Sequence, residues 1–259
     1  MIEFTDLRPD VAVAEAEYTR LLGYPPVWAL DGRAAELAGQ ARAWYARHGR
    51  PWVYVRQADT MEVSASSVRI DGVAFTAGRL RTMLHRADAH QVVMVAVGAG
   101  PELEARAAGL WRDEKPDEYF FLDVYGAAVV EHLITAVGAR LCEWAAQHAL
   151  AVLPHDSPGY PGWNVGEQAR LLELLTNTHD GQAWSGALEA LDSGALRPTK
   201  SQLAVFGLTR HADRLDGRGG TIPCVECPLE PCTYRRAPYG VGCRRRATAS
   251  GGAGDTLRA

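Results

Sequence analysis

Long apolar runs are missing from this sequence. No stretch reaches the ~20 residues that a membrane-spanning helix needs. Met1–Asp10 carries acidic residues and lacks the apolar centre of a signal peptide. The expectation is therefore a cytoplasmic protein with no membrane contact. Lysine is also scarce: Lys115 and Lys200 are the two lysines among 27 basic residues. That is a compositional bias and by itself points to no function. Internal repeats are absent. A basic surface on the body is absent too, because the net charge of −4 divides into about +4 for residues 210–259 and about −8 for the remainder. This excludes the body as a nucleic-acid surface, and no nucleic-acid partner is expected. What is present is an ordinary globular composition, 47% hydrophobic and 22% charged over 259 residues. That is enough for one large domain or for a domain with a small appendage.

Periodicity gives the coarse elements. Val11, Ala14, Tyr18, Leu21 and Leu22 repeat at helical spacing, and Gly23 can end that helix. A second helix is expected over Ala34–Arg47, ending at Gly49. Val73–Phe75 reads as a strand and Arg79–Arg86 as a helix. Gln91–Gly98 is a continuous apolar run of strand length, the pattern of a buried central strand. Gly98-Ala-Gly100 is a plain strand-to-helix turn, and Pro101, Glu102 and Glu104 suit the helix start that follows. Tyr119–Leu122 reads as a short strand. A long helix over Gly126–His148 follows, with Val130, Leu133, Ile134, Val137, Leu141 and Trp144 as its core stripe and Glu131 and Cys142 beside it. Asp156–Gly162 is turn-rich. Asn164 with Glu167 resembles a capping box for a helix reaching Leu175, and Leu203–Leu208 is a last strand. Strands and helices mix without regular alternation, so the expected class is α+β.

Three segments in this order carry a recognisable pattern: Asp123-Val-Tyr125-Gly-Ala-Ala-Val-Val-Glu131, Ser157-Pro158-Gly159-Tyr160-Pro161, and Leu191-Asp-Ser193-Gly-Ala-Leu-Arg-Pro198-Thr-Lys-Ser201. Together they resemble the activation domain of cobalamin-dependent methionine synthase. The resemblance is closer to stand-alone relatives of that domain, which also carry the Glu17-x-x-Arg20-x-x-Gly23-Tyr24 pattern and a terminal cysteine cluster. It covers roughly Glu17–Cys232 and is weakest over Leu30–Val68. It implies a curved α+β domain, long helices around a central twisted sheet, that binds S-adenosylmethionine in a shallow groove. It further implies ligand contacts from Pro158, Gly159, Tyr160, Glu131, Tyr125, Ser193 and Ser201. The chemistry of the ligand agrees: a carboxylate such as Glu131 suits its cationic end, an aromatic face suits the sulfonium, and glycine permits close backbone approach. One departure stands out. Where the family has an arginine suited to the ligand carboxylate, this chain has His155, a weaker anion contact but a base near neutral pH.

Residues 1–210 are expected to form the ligand-binding domain, 211–246 a Cys- and Arg-rich metal-binding segment, and 247–259 a disordered tail. Four of the five cysteines form Cys224-x2-Cys227-x4-Cys232-x10-Cys243. In a cytosolic protein this spacing favours metal over disulfide, and both tetrahedral zinc and an iron–sulfur cluster fit it. Cys142 stands apart and is expected to be a small buried helix residue.

Three functions remain open. The first is an enzyme that uses S-adenosylmethionine as an electrophile, removing the α-proton and closing the ring to 1-aminocyclopropane-1-carboxylate with release of methylthioadenosine. His155, Tyr160 and Glu131 are then the candidate catalytic groups. The second is presentation of S-adenosylmethionine to a corrinoid protein partner for reductive methylation. The chain itself shows no Asp-x-His-x-x-Gly cobalamin motif. The third is a zinc-stapled ligand-sensing or scaffold protein without turnover.

Overall fold

The computed structural model describes residues 1–25, 28–176 and 188–215, together with Cys224, Leu229, Cys232 and Arg235. The proposed tail 247–259 lies outside the described residues, as do Cys227 and Cys243. The elements in chain order are β1 (Glu3–Asp6), α1 (Glu15–Leu21), α2 (Gly32–His48), β2 (Trp52–Gln57), β3 (Met61–Val63), β4 (Val68–Ile70), β5 (Val73–Phe75), α3 (Gly78–Arg86), β6 (Gln91–Gly98), α4 (Pro101–Arg112) and α5 (Pro116–Gln147). They continue with β7 (Ala151–Val152), a 3-10 turn (Val165–Glu167), α6 (Gln168–Thr176), β8 (Glu189–Ala190), β9 (Leu196–Arg197) and β10 (Ser201–Thr209).

A five-stranded antiparallel sheet, ordered β1-β2-β6-β10-β7, divides the molecule. The apolar stretches of its three inner strands, residues 52–55, 92–97 and 203–206, are continuous because both faces are covered. On β6, Val93, Val95 and Val97 enter one core while Val92, Met94 and Ala96 enter the other. β10 alternates likewise, with Ala204, Phe206 and Leu208 on the first face and Leu203 and Val205 on the second. The first core is closed by α1, α2, α4 and α5, the second by α3, α6 and the small β3-β4-β5 sheet. This is the α+β arrangement expected, with long helices against a central sheet.

Several elements differ from the sequence reading. Tyr119–Leu122 is not a strand but the early part of α5. Pro116 opens that helix, Asp117 and Glu118 occupy its first turn, and Phe121, Leu122 and Tyr125 continue one buried stripe. The local β preference of an aromatic run yields to that packing. Helix α1 starts at Glu15, and Val11–Ala14 lie outside it as a strap beside α5. His132 holds this strap, with Nε2 accepting from the Ala12 amide at 3.3 Å. Cys142 is exposed, so its expected burial is wrong: it lies next to Leu141 on the outer edge of the core stripe. Asn164 caps by accepting from the Gly166 amide, but Glu167 does not complete a capping box. Its carboxylate turns inward to the Thr76 amide and hydroxyl and to Trp163 Nε1, whose burial calls for an acceptor.

Among the described residues, α5 alone has the length and mean hydropathy of a membrane-crossing helix. More than half of that stretch is buried within the protein, the position of a core helix.

Candidate functional site

The three patterned segments come together around one groove of about 360 Å³. One wall is α5, presenting Ala127, Val130 and Glu131. The second is the loop after β7, with Ser157, Pro158 and Tyr160. The third is the β9–β10 segment, from Leu196 to Leu203 and including Lys200, Ser201 and Gln202, with Gln168 of α6 below. The volume and mixed lining suit a small-molecule ligand.

Local chemistry explains why the segments fit. Lys200 Nζ donates to Asp123 Oδ2 at 2.8 Å, clamping the β9–β10 segment to α5. Gly126 makes room for this clamp: a Cβ there would lie 2.7 Å from Leu103 Cδ1 and 3.0 Å from Lys200 Cγ. The turn of the third segment depends on Gly194. Its φ is +82°, and a Cβ would sit 2.9 Å from the Val165 carbonyl oxygen. Gly194 also accepts from Gln168 Nε2 at 2.6 Å. The Arg197–Pro198 peptide is cis.

The 155–160 loop is held from behind. Asp156 bridges to Val205 of β10 through both backbone groups. Its carboxylate is fully buried and accepts from Arg79 Nη2 at 2.7 Å and Nε at 3.2 Å. Burial nevertheless raises the Asp156 carboxyl above its ordinary range, although Arg79 opposes the shift. Gly159 sits in the loop with φ +94°, and a Cβ there would meet Val165 only at an ordinary contact distance of 3.6 Å, so the backbone conformation is what calls for glycine there. Tyr160 Oη accepts from Gln202 Nε2 at 3.1 Å, and the same amide donates to Ser157 Oγ at 3.0 Å. Burial, and next the charge of Glu131, push the Tyr160 phenol well above its usual range, so it stays protonated.

Four of the expected residues, Glu131, Pro158, Tyr160 and Ser201, line the groove, while the others stand elsewhere. His155 is 5% exposed and packs against Tyr160, its Nε2 3.4 Å from Tyr160 Oη, and it is not among the residues that line the groove. Tyr125 is two positions from Ala127 on a helix, which places it on the opposite face, packed edge-on against Tyr18 and Tyr45. Ser193 is exposed in its turn, where its hydroxyl accepts from the Ala195 amide. Ser201 Oγ is buried at the groove and makes no hydrogen bond among the described residues. Gln168 and Gln202 were not foreseen. Neither lies in a position where spacing singles out a glutamine, and only the fold brings them to the groove.

At the α1 edge, Glu17 and Arg20 form a two-point ion pair, with 2.8 and 3.1 Å contacts. Burial works against the Arg20 charge, but Glu17 outweighs it, with Glu131 and Cys224 adding, and the guanidinium is held more firmly charged. Arg20 Nη1 also donates to the Arg235 carbonyl at 3.4 Å, tying the C-terminal segment to this edge. Arg235 in turn donates to the carbonyls of Cys224 and Leu229. Among the described residues no three metal-ligating side chains converge.

No protein-family model matches the chain. No curated protein matches it either. Among solved structures, the chain is similar to the crystal structure of the MetH reactivation domain bound to AdoHcy, with 14% sequence identity and a TM-score of 0.49. That alignment covers 67% of this chain and 65% of the other, so it spans less than two thirds of that domain's length.

Proposed function

We propose that the groove binds S-adenosylmethionine and that the protein uses it as an electrophile, displacing methylthioadenosine to form 1-aminocyclopropane-1-carboxylate. The observation that carries this reading is the convergence of the three patterned segments on one groove whose polar groups match the ligand's charges. Glu131 suits the ammonium and the sulfonium. The Lys200 ammonium and the Ser201 hydroxyl supply a place for the carboxylate, the role that His155 is too buried to take directly. The Tyr160 ring lines the same space.

In the reaction, a base takes the Cα proton. The freed electron pair forms the Cα–Cγ bond, the Cγ–S bond breaks, and sulfur leaves as the neutral thioether of methylthioadenosine. Glu131 is the base in this proposal. Tyr160, kept protonated, donates hydrogen bonds and does not accept the proton, and His155 positions Tyr160 from behind. The cysteine segment is assigned to a metal, zinc or an iron–sulfur cluster, held by Cys224 and Cys232 with Cys227 and Cys243. The Arg235 hydrogen bonds that fold Cys224 and Cys232 into one loop support this assignment.

The test is incubation of the full chain with S-adenosylmethionine, followed by mass spectrometry. Equal amounts of methylthioadenosine and the cyclic amino acid are expected, with a loss of about 100-fold or more in Glu131→Gln. Ligand that binds but stays intact would overturn the ring closure and favour a ligand-sensing or scaffold protein, unless a corrinoid protein partner then accepts the methyl group. A calorimetric titration without heat or saturation would overturn binding itself.

A further inference from the structure

We propose that a second cavity, on the far side of α5 from the groove, binds a planar aromatic anion. The cavity holds about 550 Å³. Its floor is Tyr125, and the C-terminal end of α2 with the turn after it forms one wall through Tyr45 and Arg50. The N-terminal strap forms the other through Arg8, Pro9 and Val11. The strap is part of a fixed wall, because His132 of α5 is bonded to Ala12 just beyond it.

Three features define the ligand class. First, the floor is aromatic: Tyr45 and Tyr125 meet edge-on with centroids 5.5 Å apart, and both are at least nine-tenths buried. Flat rings stack or pack edge-on against such a surface. Second, the Tyr125 hydroxyl lines the cavity and makes no hydrogen bond among the described residues, whereas the Tyr45 hydroxyl is committed to the Ala99 carbonyl at 2.8 Å. A hydroxyl without a protein partner beside a cavity is a place for a ligand oxygen. Third, Arg8 and Arg50 both line the mouth, and neither guanidinium is ion-paired among the described residues. Arg8 touches Asp6 only through its backbone amide, and Arg50 donates only to the carbonyl of Gly49. Two guanidinium groups without a carboxylate partner, over an aromatic floor, suit a carboxylate, sulfonate or phosphate carried on a ring. Tyr125 belongs to the segment that also supplies Glu131, yet it faces this cavity and contributes nothing to the groove.

The probe is 1-anilinonaphthalene-8-sulfonate, titrated into the full chain by fluorescence and calorimetry. Saturable binding is expected, weakened about tenfold by Arg8→Gln with Arg50→Gln and unchanged by Glu131→Gln. Both arginines are exposed, so the double variant retains the fold, which circular dichroism checks. N-phenyl-1-naphthylamine has the same rings without the sulfonate and is expected to bind at least tenfold more weakly. Equal binding by the double variant, equal binding of the uncharged probe, or displacement by S-adenosylmethionine would each overturn the proposal. Loss of S-adenosylmethionine binding alone would leave it standing.

Discussion

Asp156 is a carboxylate with no exposure, answered by one guanidinium from another element. Burial of this kind is tolerated only while the partner stays. In Arg79→Leu the carboxyl keeps its burial and loses the group that opposes the shift, so its folded-state value rises further. A carboxyl raised in the folded state binds its proton there first, and stability falls as pH rises through the raised value and recovers as pH is lowered. The variant is expected to lose about 3–5 kcal/mol at pH 7 and to regain part of that by about pH 5, as read by urea denaturation at each pH. A deficit that does not change with pH would assign the loss to packing alone. The same residue pair explains a limit of the sequence reading. Asp156 is legible as a turn residue and Arg79 as a helix residue, but nothing in their spacing of 77 positions joins them. His155 illustrates the limit from the other side. The histidine at position 155 is legible in sequence, yet only the fold packs it against Tyr160.

Helices and strands with strong periodicity were legible, and weakly patterned ones were not. β6 was plain because the seven residues from Val92 to Gly98 must be apolar or small when both faces are covered. α5 was legible in its second half, where the stripe from Val130 to Leu141 repeats cleanly, and misread in its first, where aromatic residues favour a strand locally. The short strands β3, β4 and β7 offer two or three residues each, too few for any period to emerge. α2 offers a clean test at this scale. Gly39 is exposed in its middle, and a Cβ there would meet nothing within 4 Å. Gly39→Ala is expected to stabilise the protein by about 0.5–1 kcal/mol through helix propensity, measured as a higher urea midpoint with an unchanged slope. A lower midpoint would mean that α2 is packed on that side in solution.

Across the whole molecule, the sheet and both cores lie within the first 215 residues, and the cysteine segment joins them at the Arg20 edge. The metal proposed at the cysteines would therefore act as a local staple. Chelation is expected to remove about one equivalent of zinc or one cluster per chain, seen by elemental analysis, while the melting temperature moves by less than about 4 °C, equivalent to about 1 kcal/mol. A much larger fall would show that the segment helps to hold the body together. The central strand has a further consequence for how such a protein can change over time. From Leu203 to Leu208, each side chain of β10 belongs to one core or the other apart from Gly207, where a Cβ would lie 2.6 Å from Leu153, so drift there is answered by packing on one side or both. Ser201 and Gln202 are the residues of the same strand that emerge from the cores into the groove. A lineage that needs a new ligand preference can alter these two positions while the rest of the strand keeps its composition, and divergence of function is channelled to the end of the strand.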